Sequence, residues 1–239
     1  MKGRRLLVNT IYPAFMGEVN CHGIGVPCTF VRLAGCNLRC YLQTKGCLCD
    51  TPEALDGKTG KVMSVAEIVN AVLSIGRHVV CVTGGEPLMQ DCKELFEQLT
   101  EWGFEVVVET NGSKAISPYV DIEGVSFIVD FKTSSTGETE EMIHNNYRWM
   151  RRQDFLKFVI DTEDDYNEMK QWVVANGSSY RGCIGVGLFW GSKMTYQELM
   201  GRLHEDDLKV YLNMQTHKMG CLYDTYKNDV SKVIVPKDL

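Results

Sequence analysis

Four cysteines cluster near the start of the chain, at Cys36, Cys40, Cys47 and Cys49. Thiolates at such spacing can hold a soft metal ion or an iron–sulfur cluster. Four thiolates would close a structural zinc site, whereas a four-iron cluster held by three would leave one iron open to a substrate or cofactor. The spacing alone keeps both alternatives open. The apolar run 28–34 before the cysteines predicts a buried strand, so the metal would lie at a strand end.

Polar clusters also follow four of the other strand-like runs. They are the segments 83–87 (TGGEP), 109–112 (ETNG), 132–137 (KTSSTG) and 215–218 (QTHK). In parallel α/β folds the carboxyl ends of the strands form the functional face, so we interpret these clusters as parts of one ligand site. Gly84 and Gly85 would let a ligand approach the backbone closely. Glu86 is either an anion for an ammonium group or an ordinary surface carboxylate.

Two strand-like runs contain a basic residue. Period-2 alternation places Lys157 on the same face as Phe155 and Val159, where an ammonium group is costly unless it is paired. The alternative is a lysine at a strand edge that reaches water. Arg32 raises the same question, and a buried guanidinium suits a planar carboxylate. His217 is interpreted either as a ligand contact or as a satisfied polar residue.

Strand-like runs alternate with segments of helical periodicity along the chain. The predicted strands are 28–34, 78–82, 104–109, 126–131, 155–160, 183–189 and 209–214. Helices are predicted after the capping-box pairs Ser64/Glu67 and Thr195/Glu198, at 91–102, and around 166–173. This alternation predicts an α/β fold with a parallel sheet. We favour a partial (β/α)6 barrel, TIM-like and with extra elements at the termini, over an open doubly wound sheet.

Composition limits the class of protein. The 239 residues fit one domain, predicted over 1–239, and the net charge of −6 argues against a general nucleic-acid binder. No apolar run reaches transmembrane length, and the run 6–8 is too short for the core of a signal peptide. We therefore expect a cytoplasmic protein that binds neither membranes nor nucleic acids. Cysteines outside the cluster, such as Cys81 in an apolar run, are interpreted as core residues.

Several motifs resemble those of the radical S-adenosylmethionine (SAM) enzymes. The segment 35–40 (GCNLRC), the later 49–51 (CDT) and the Gly-Gly-Glu motif at 84–86 carry this resemblance. More specifically, the chain resembles the 7-carboxy-7-deazaguanine synthase family from about residue 10 to 220. The supporting segments, in order, are 17–18, 30–33, 49–51, 109–112, 156–159 and 215–218.

The resemblance implies a barrel of the radical SAM type with a [4Fe-4S] cluster, SAM and Mg2+ as cofactors. The implied cluster ligands are Cys36, Cys40 and Cys49, and Thr51 would offer an oxygen to Mg2+. The matching SAM-binding positions are Leu48, Asp50, Gly85, Glu86, Asp130 and Lys132. The matching substrate-binding positions are Phe15, Met16, Gly17, Glu18, Arg32, Thr83, Lys157 and His217. No side chain is implied to be catalytic beyond the radical that the cofactor supplies.

The implied activity is that of a lyase. It converts 6-carboxy-5,6,7,8-tetrahydropterin to 7-carboxy-7-deazaguanine with loss of ammonia, on the pathway to queuosine and related deazapurines. A 5′-deoxyadenosyl radical from SAM would remove hydrogen from C6 of the pterin, and the ring would then contract. The implied partners are the pterin, an electron donor of the flavodoxin or ferredoxin type, and a second copy of the chain in a homodimer.

The chain departs from the family pattern in three places. Eight residues, 41–48, separate the second cysteine from Cys49, where the family usually has two, and Cys47 is extra. The Cys-Asp-Thr sequence favours Cys49 as the third ligand. Met16 stands where the family has glutamine, which leaves main-chain contacts to the pterin, and the segment 219–239 follows the last matching motif. Two other functions stay open: an activating enzyme for glycyl-radical proteins, and a zinc-stabilised binding protein.

Overall fold

The computed structural model describes residues 3–46, 49 and 51–216. The strands are β1 (Arg5–Phe15), β2 (Pro27–Leu33), β3 (Lys61–Ser64), β4 (Val79–Gly84), β5 (Glu105–Thr110), β6 (Val125–Phe131), β7 (Phe155–Ile160), β8 (Cys183–Leu188) and β9 (Tyr211–Leu212). The helices are α1 (Leu42–Lys45), α2 (Val65–Ile75), α3 (Lys93–Glu101), α4 (Glu163–Asn176) and α5 (Tyr196–Glu205). Short 3-10 turns lie in the loops. In the described part of the chain, no helix is both long and apolar enough to cross a membrane.

The strands form one sheet in the order β3-β1-β2-β4-β5-β6-β7-β8-β9. β2 and β4 to β9 run parallel to one another, whereas β1 is antiparallel to both β2 and β3. The α/β class and all seven predicted strands are therefore confirmed. β1 and β3 were missed. A register shift between Val8 and Thr10 interrupts the alternation of β1, and β3 has only four residues. The single domain over 1–239 stays a prediction.

The capping residues begin the helices where the sequence predicts. In α2 the Ser64 side chain accepts from the Glu67 N–H, while the Glu67 carboxylate accepts from the Ser64 N–H. Thr195 and Glu198 repeat this reciprocal pair at the start of α5. These helices pack their apolar faces on one side of the sheet. Between β5 and β6, and between β6 and β7, the connections contain no α-helix.

The two faces of the sheet differ in what they bury. One face and the helices enclose the main apolar core. The other face carries a smaller cluster at the amino ends of the strands, made of Met16, Val19, Cys28, Val79, Cys81, Val107, Ile128 and Phe155. Cys81 is fully buried there, as predicted for a core cysteine. Because strand side chains alternate, the next inward positions along these strands lie one layer closer to the carboxyl ends and form the floor of a pocket.

Candidate active site

A pocket of about 720 Å³ lies at the carboxyl ends of the parallel strands. Its lining includes side chains from β1, β2 and β4 to β7, and from the loops after them. Thirteen of the predicted site residues line it: Phe15, Gly17, Glu18, Arg32, Cys36, Cys40, Cys49, Thr51, Thr83, Gly85, Asp130, Lys132 and Lys157. The tertiary structure therefore brings together positions that are far apart in the sequence. Leu48, Asp50 and His217 lie outside the described residues, as do Cys47 and the segment 219–239.

Three cysteines line this pocket, and two of them receive hydrogen bonds at sulfur. The Leu38 N–H donates to Cys36 Sγ at 3.5 Å. The Thr51 N–H donates to Cys49 Sγ at 3.4 Å. Such donors stabilise a thiolate bound to metal. Burial raises the pKa of Cys40, so this sulfur favours the thiol unless a metal keeps it deprotonated.

Three cysteine sulfurs, two of which accept hydrogen bonds from N–H groups, are a donor set that fits an iron–sulfur cluster. The ligands of a four-iron cluster also lie farther apart than the ligands of a single metal ion. In the parts of the chain described, no three His, Cys, Asp or Glu side chains lie close enough to hold one metal ion.

Residues 41–46 of the insertion after Cys40 contact the loops that follow β6, β7 and β8. The Tyr41 N–H donates to the Thr136 oxygen, in the loop after β6, at 2.8 Å. Lys45, at the end of α1, forms an ion pair with Asp161, and its Nζ lies 4.4 Å from the ring centre of Phe189. The rings of Tyr41 and Phe189 are 4.4 Å apart. These contacts fix the segment after the second cysteine, and Tyr41 and Phe189 both face the pocket.

The Gly-Gly-Glu motif joins the end of β4 to the cysteine loop. A Cβ on Gly84, whose φ is 144°, would lie 2.0 Å from the Leu33 oxygen. A Cβ on Gly85 would lie 2.3 Å from the Gly35 oxygen. Only glycines allow β4 to approach the chain before Cys36 this closely.

The Glu86 carboxylate is fully buried and does not line the pocket. It accepts hydrogen bonds from the Leu88 N–H at 2.9 Å, the Thr110 hydroxyl at 2.8 Å and the Asn111 N–H at 2.6 Å. Burial raises the pKa of Glu86 to about 7, although the three donors oppose the rise. The predicted contact of this carboxylate with SAM is therefore not one that the geometry favours, because its oxygens already hold the turn after β5.

A row of alternating charges crosses the pocket floor. Lys157 is 7% exposed. It pairs with Glu18 and, at 2.9 Å, with Asp130, which also pairs with Lys132 at 2.7 Å. The interpretation of Lys157 as a paired buried lysine is confirmed. Burial opposes the ionised form of Asp130, but Lys132 and Lys157 outweigh it and lower its pKa to about 2.

Arg32 and Glu109 stand on the neighbouring strands. The Arg32 guanidinium donates to the Tyr12 hydroxyl at 3.2 Å. Glu109 accepts from the Thr83 hydroxyl at 2.8 Å. Burial and repulsion from Glu18 raise the pKa of Glu109.

Glu109 was predicted only as part of the polar cluster 109–112 and had no role of its own. The sequence nevertheless contains a signal for this residue. Alternation from Val107 places this carboxylate on the buried inner face, where a charged side chain requires a partner. Lys157 on β7 meets the same requirement.

The structure places two residues, Met16 and Gln215, differently from what the sequence predicts. Met16 was predicted to contact substrate, but its side chain is fully buried in the apolar cluster below the pocket. Its N–H and oxygen bond to Val26 and Gly25, so they hold the loop. Gln215, which had no predicted role beyond its motif, lines the pocket and places Nε2 3.4 Å from Glu18 Oε1.

Curated relatives match the chain over most of its length. The 7-carboxy-7-deazaguanine synthase of Methanospirillum hungatei JF-1 is 34% identical over 197 residues, covering 81% of this chain and 77% of the relative. The synthase of Pyrobaculum aerophilum is 36% identical over 179 residues, covering 72% and 75%. That of Koribacter versatilis is 31% identical over 227 residues, covering 88% and 95%.

The fold is shared with a solved structure. The crystal structure of QueE from Escherichia coli superposes with a TM-score of 0.69 over 88% of this chain and 93% of that chain, at 17% identity. No protein-family model matches the chain.

Proposed function

The chain belongs to the 7-carboxy-7-deazaguanine synthase family, and on that premise we propose that it converts 6-carboxy-5,6,7,8-tetrahydropterin to 7-carboxy-7-deazaguanine by radical SAM chemistry. One observation carries the proposal. Three cysteines and a buried layer of paired carboxylates and basic residues line a single pocket at the strand ends. A soft-metal site and a polar-ligand site that share one cavity suit a cofactor radical acting on a bound, polar substrate.

Cys36, Cys40 and Cys49 are the proposed ligands of a [4Fe-4S] cluster. When bound, the cluster and SAM supply a 5′-deoxyadenosyl radical that can remove a hydrogen atom from C6 of the pterin. The chain orients the cofactor. Gly85 offers its main chain beside the cysteine loop, while Glu86 acts indirectly by holding the neighbouring turn. Leu48, Asp50, Asp130 and Lys132 complete the proposed SAM site.

The charged floor of the pocket fits the two polar ends of a carboxylated pterin. Arg32 lies beside the pocket with a fork of donors that suits the substrate carboxylate. Glu18 and Glu109 are acceptors for the N–H groups of the aminopyrimidine edge. Burial and the neighbouring Glu18 raise the pKa of Glu109. Lys157 keeps Glu18 in place and balances its charge.

The remaining contacts of the proposal involve the pocket walls. Phe15 and Gly17 border the pterin, together with Thr83, and Thr51 gives an oxygen to Mg2+. Met16 acts indirectly, because its main-chain N–H and oxygen hold the loop that carries Gly17 and Glu18. We assign His217 as a further substrate contact.

The proposal extends to architecture and partners. The sheet curves as a partial (β/α)6 barrel, which is supported by inward side chains of β1 and of β7 lining the same cavity. The electron that starts turnover comes from a donor of the flavodoxin or ferredoxin type. The enzyme works in the cytoplasm as a homodimer.

Anaerobic turnover of the reconstituted chain tests this function. The assay contains 6-carboxytetrahydropterin, SAM, Mg2+ and a reductant, and products are read by mass spectrometry. A 7-carboxy-7-deazaguanine mass that needs every component supports the proposal. Reductive cleavage of SAM without that product would refute the substrate and favour an activating enzyme for glycyl-radical proteins. Zinc in place of iron in the isolated chain would refute the radical class.

A further inference from the structure

The side-chain amide of Asn111 contacts a cysteine sulfur of the proposed cluster site. Asn111 follows β5 and is 7% exposed. Its Nδ2 lies 3.7 Å from Cys36 Sγ and 3.4 Å from Asn37 Oδ1. The Leu38 N–H reaches the same sulfur at 3.5 Å. Two N–H donors from different parts of the chain therefore converge on Cys36 Sγ.

The orientation of the Asn111 amide follows from its other partner. Its Oδ1 accepts from the Ser113 main-chain N–H at 2.9 Å. A main-chain N–H can only donate, so the oxygen of the amide must face Ser113. The NH2 group is then the one that faces Cys36. The contact with sulfur is thus a donor contact, and a flipped amide would break both interactions.

The buried carboxylate of Glu86 holds Asn111 at this position. The Asn111 N–H donates to Glu86 Oε2 at 2.6 Å, and the Thr110 hydroxyl donates to Oε1 at 2.8 Å. Glu86 itself is fully buried. The Gly-Gly-Glu motif and the Glu-Thr-Asn turn are therefore linked, and the link ends at a cluster ligand. This arrangement leaves the Asn111 amide little freedom to move away from the sulfur.

Hydrogen bonds to cysteine sulfur tune iron–sulfur clusters. They stabilise the more negative, reduced state and so raise the reduction potential. We propose that Asn111 is a positioning residue that acts through Cys36 and raises the reduction potential of the cluster. The inference rests on the proposed function, because it requires the cluster. Losing one such donor makes reduction about three- to tenfold less favourable, and tenfold corresponds to about 59 mV for one electron.

Redox titration of three variants tests this inference. Asn111→Ala removes the donor. Asn111→Asp also removes it but keeps an oxygen for the Ser113 N–H and adds negative charge near the sulfur. Ser113→Ala is the matched control, because it keeps the main-chain N–H that orients Asn111 and loses only a hydroxyl that contacts Asn37. Each full chain is reconstituted anaerobically, its iron and sulfide are measured, and its midpoint potential is followed by electron paramagnetic resonance.

We expect unchanged iron content in all variants. The midpoint potential should be highest in wild type and S113A, lower in N111A and lowest in N111D. A wild-type potential in N111A would overturn the inference. So would N111D matching wild type, since the residue would then serve only to hold Ser113. Loss of iron from both Asn111 variants would overturn it as well, because Asn111 would be needed to build the site. A wild-type chain that forms no iron–sulfur cluster would refute the proposed function itself.

Discussion

The ion pairs of Lys157 make a measurable contribution to stability. Replacing Lys157 with Met keeps most of its volume but removes the charge between Glu18 and Asp130. Asp130 retains Lys132 as a partner at 2.7 Å, whereas Glu18 keeps only a 3.4 Å contact with Gln215 among its described hydrogen-bond partners. One buried carboxylate therefore loses its counter-ion.

Breaking a buried pair in this way costs about 3 to 5 kcal/mol. We expect a cost of about 3 kcal/mol for Lys157→Met, at the low end of that range, because Asp130 keeps Lys132 and the Glu18 carboxylate keeps its contact with Gln215. For a chain of this size the loss lowers Tm by about 6 to 12 °C. The measurement is anaerobic thermal unfolding of the cluster-loaded chain, followed by circular dichroism.

Two further variants make the test specific. Lys170→Met is the matched control, since Lys170 pairs with Asp206 at 2.7 Å with 41% of its side chain exposed. An exposed pair of this kind contributes about 1 kcal/mol or less. Combining Lys157→Met with Glu18→Gln neutralises the stranded carboxylate, so the double variant should be no less stable than K157M. A K157M variant as stable as K170M would refute the reasoning, as would simple additivity in the double variant.

Three further predictions concern neighbouring features. The pKa of Glu86 is raised from 4.5 to about 7, so the folded state binds the extra proton and the contribution of this group to stability falls by about 3 kcal/mol as pH rises through this window. Denaturant titrations from pH 4.5 to 7 should show a flatter profile for Glu86→Gln, and parallel profiles would contradict the assignment. Cys49→Ala should abolish the cluster while Cys47→Ala retains it, as measured by iron content; the reverse result would make Cys47 the third ligand. Gly84→Ala should lower the free energy of unfolding, measured with denaturant, by about 1 to 3 kcal/mol, because its Cβ would overlap the β2 backbone. Gly201→Ala is the control, since a Cβ at this position in α5 meets open space and should be neutral or stabilising. Equal effects of the two substitutions would refute the close packing of β4 on β2.

Local sequence patterns were sufficient to predict most of the strands and helices. The apolar run that became β4 and the capping box at Ser64 depend on residues close together in the chain, and both were predicted correctly. β1 was missed because its alternation is broken by a register shift and because its stability comes from pairing on both sides. Antiparallel pairing with β3, a four-residue strand, is a long-range contact that a local pattern does not reveal.

Which charged side chains meet depends on register between distant segments. Asp130 and Lys157 are direct neighbours in the pairing of β6 with β7, and Glu18 reaches them from the loop after β1. The sequence could indicate that Lys157 needs a partner, but not which carboxylate supplies it. The same limit applies to Glu86. Its motif is visible in the sequence, whereas the saturation of its oxygens by Leu88, Thr110 and Asn111 requires the β4 and β5 ends to be adjacent.

By itself, the sequence determined the chemical types at the site, the strand ends that carry them and the α/β class, because these follow from residue identity and short-range periodicity. The tertiary structure alone decided that Met16 is buried below the pocket, that Glu109 faces into it and that Asn111 donates to Cys36. The physical reason is that desolvation and hydrogen bonding depend on the neighbours of a group in space. Those neighbours come from strand order and register, which no local segment of the chain contains.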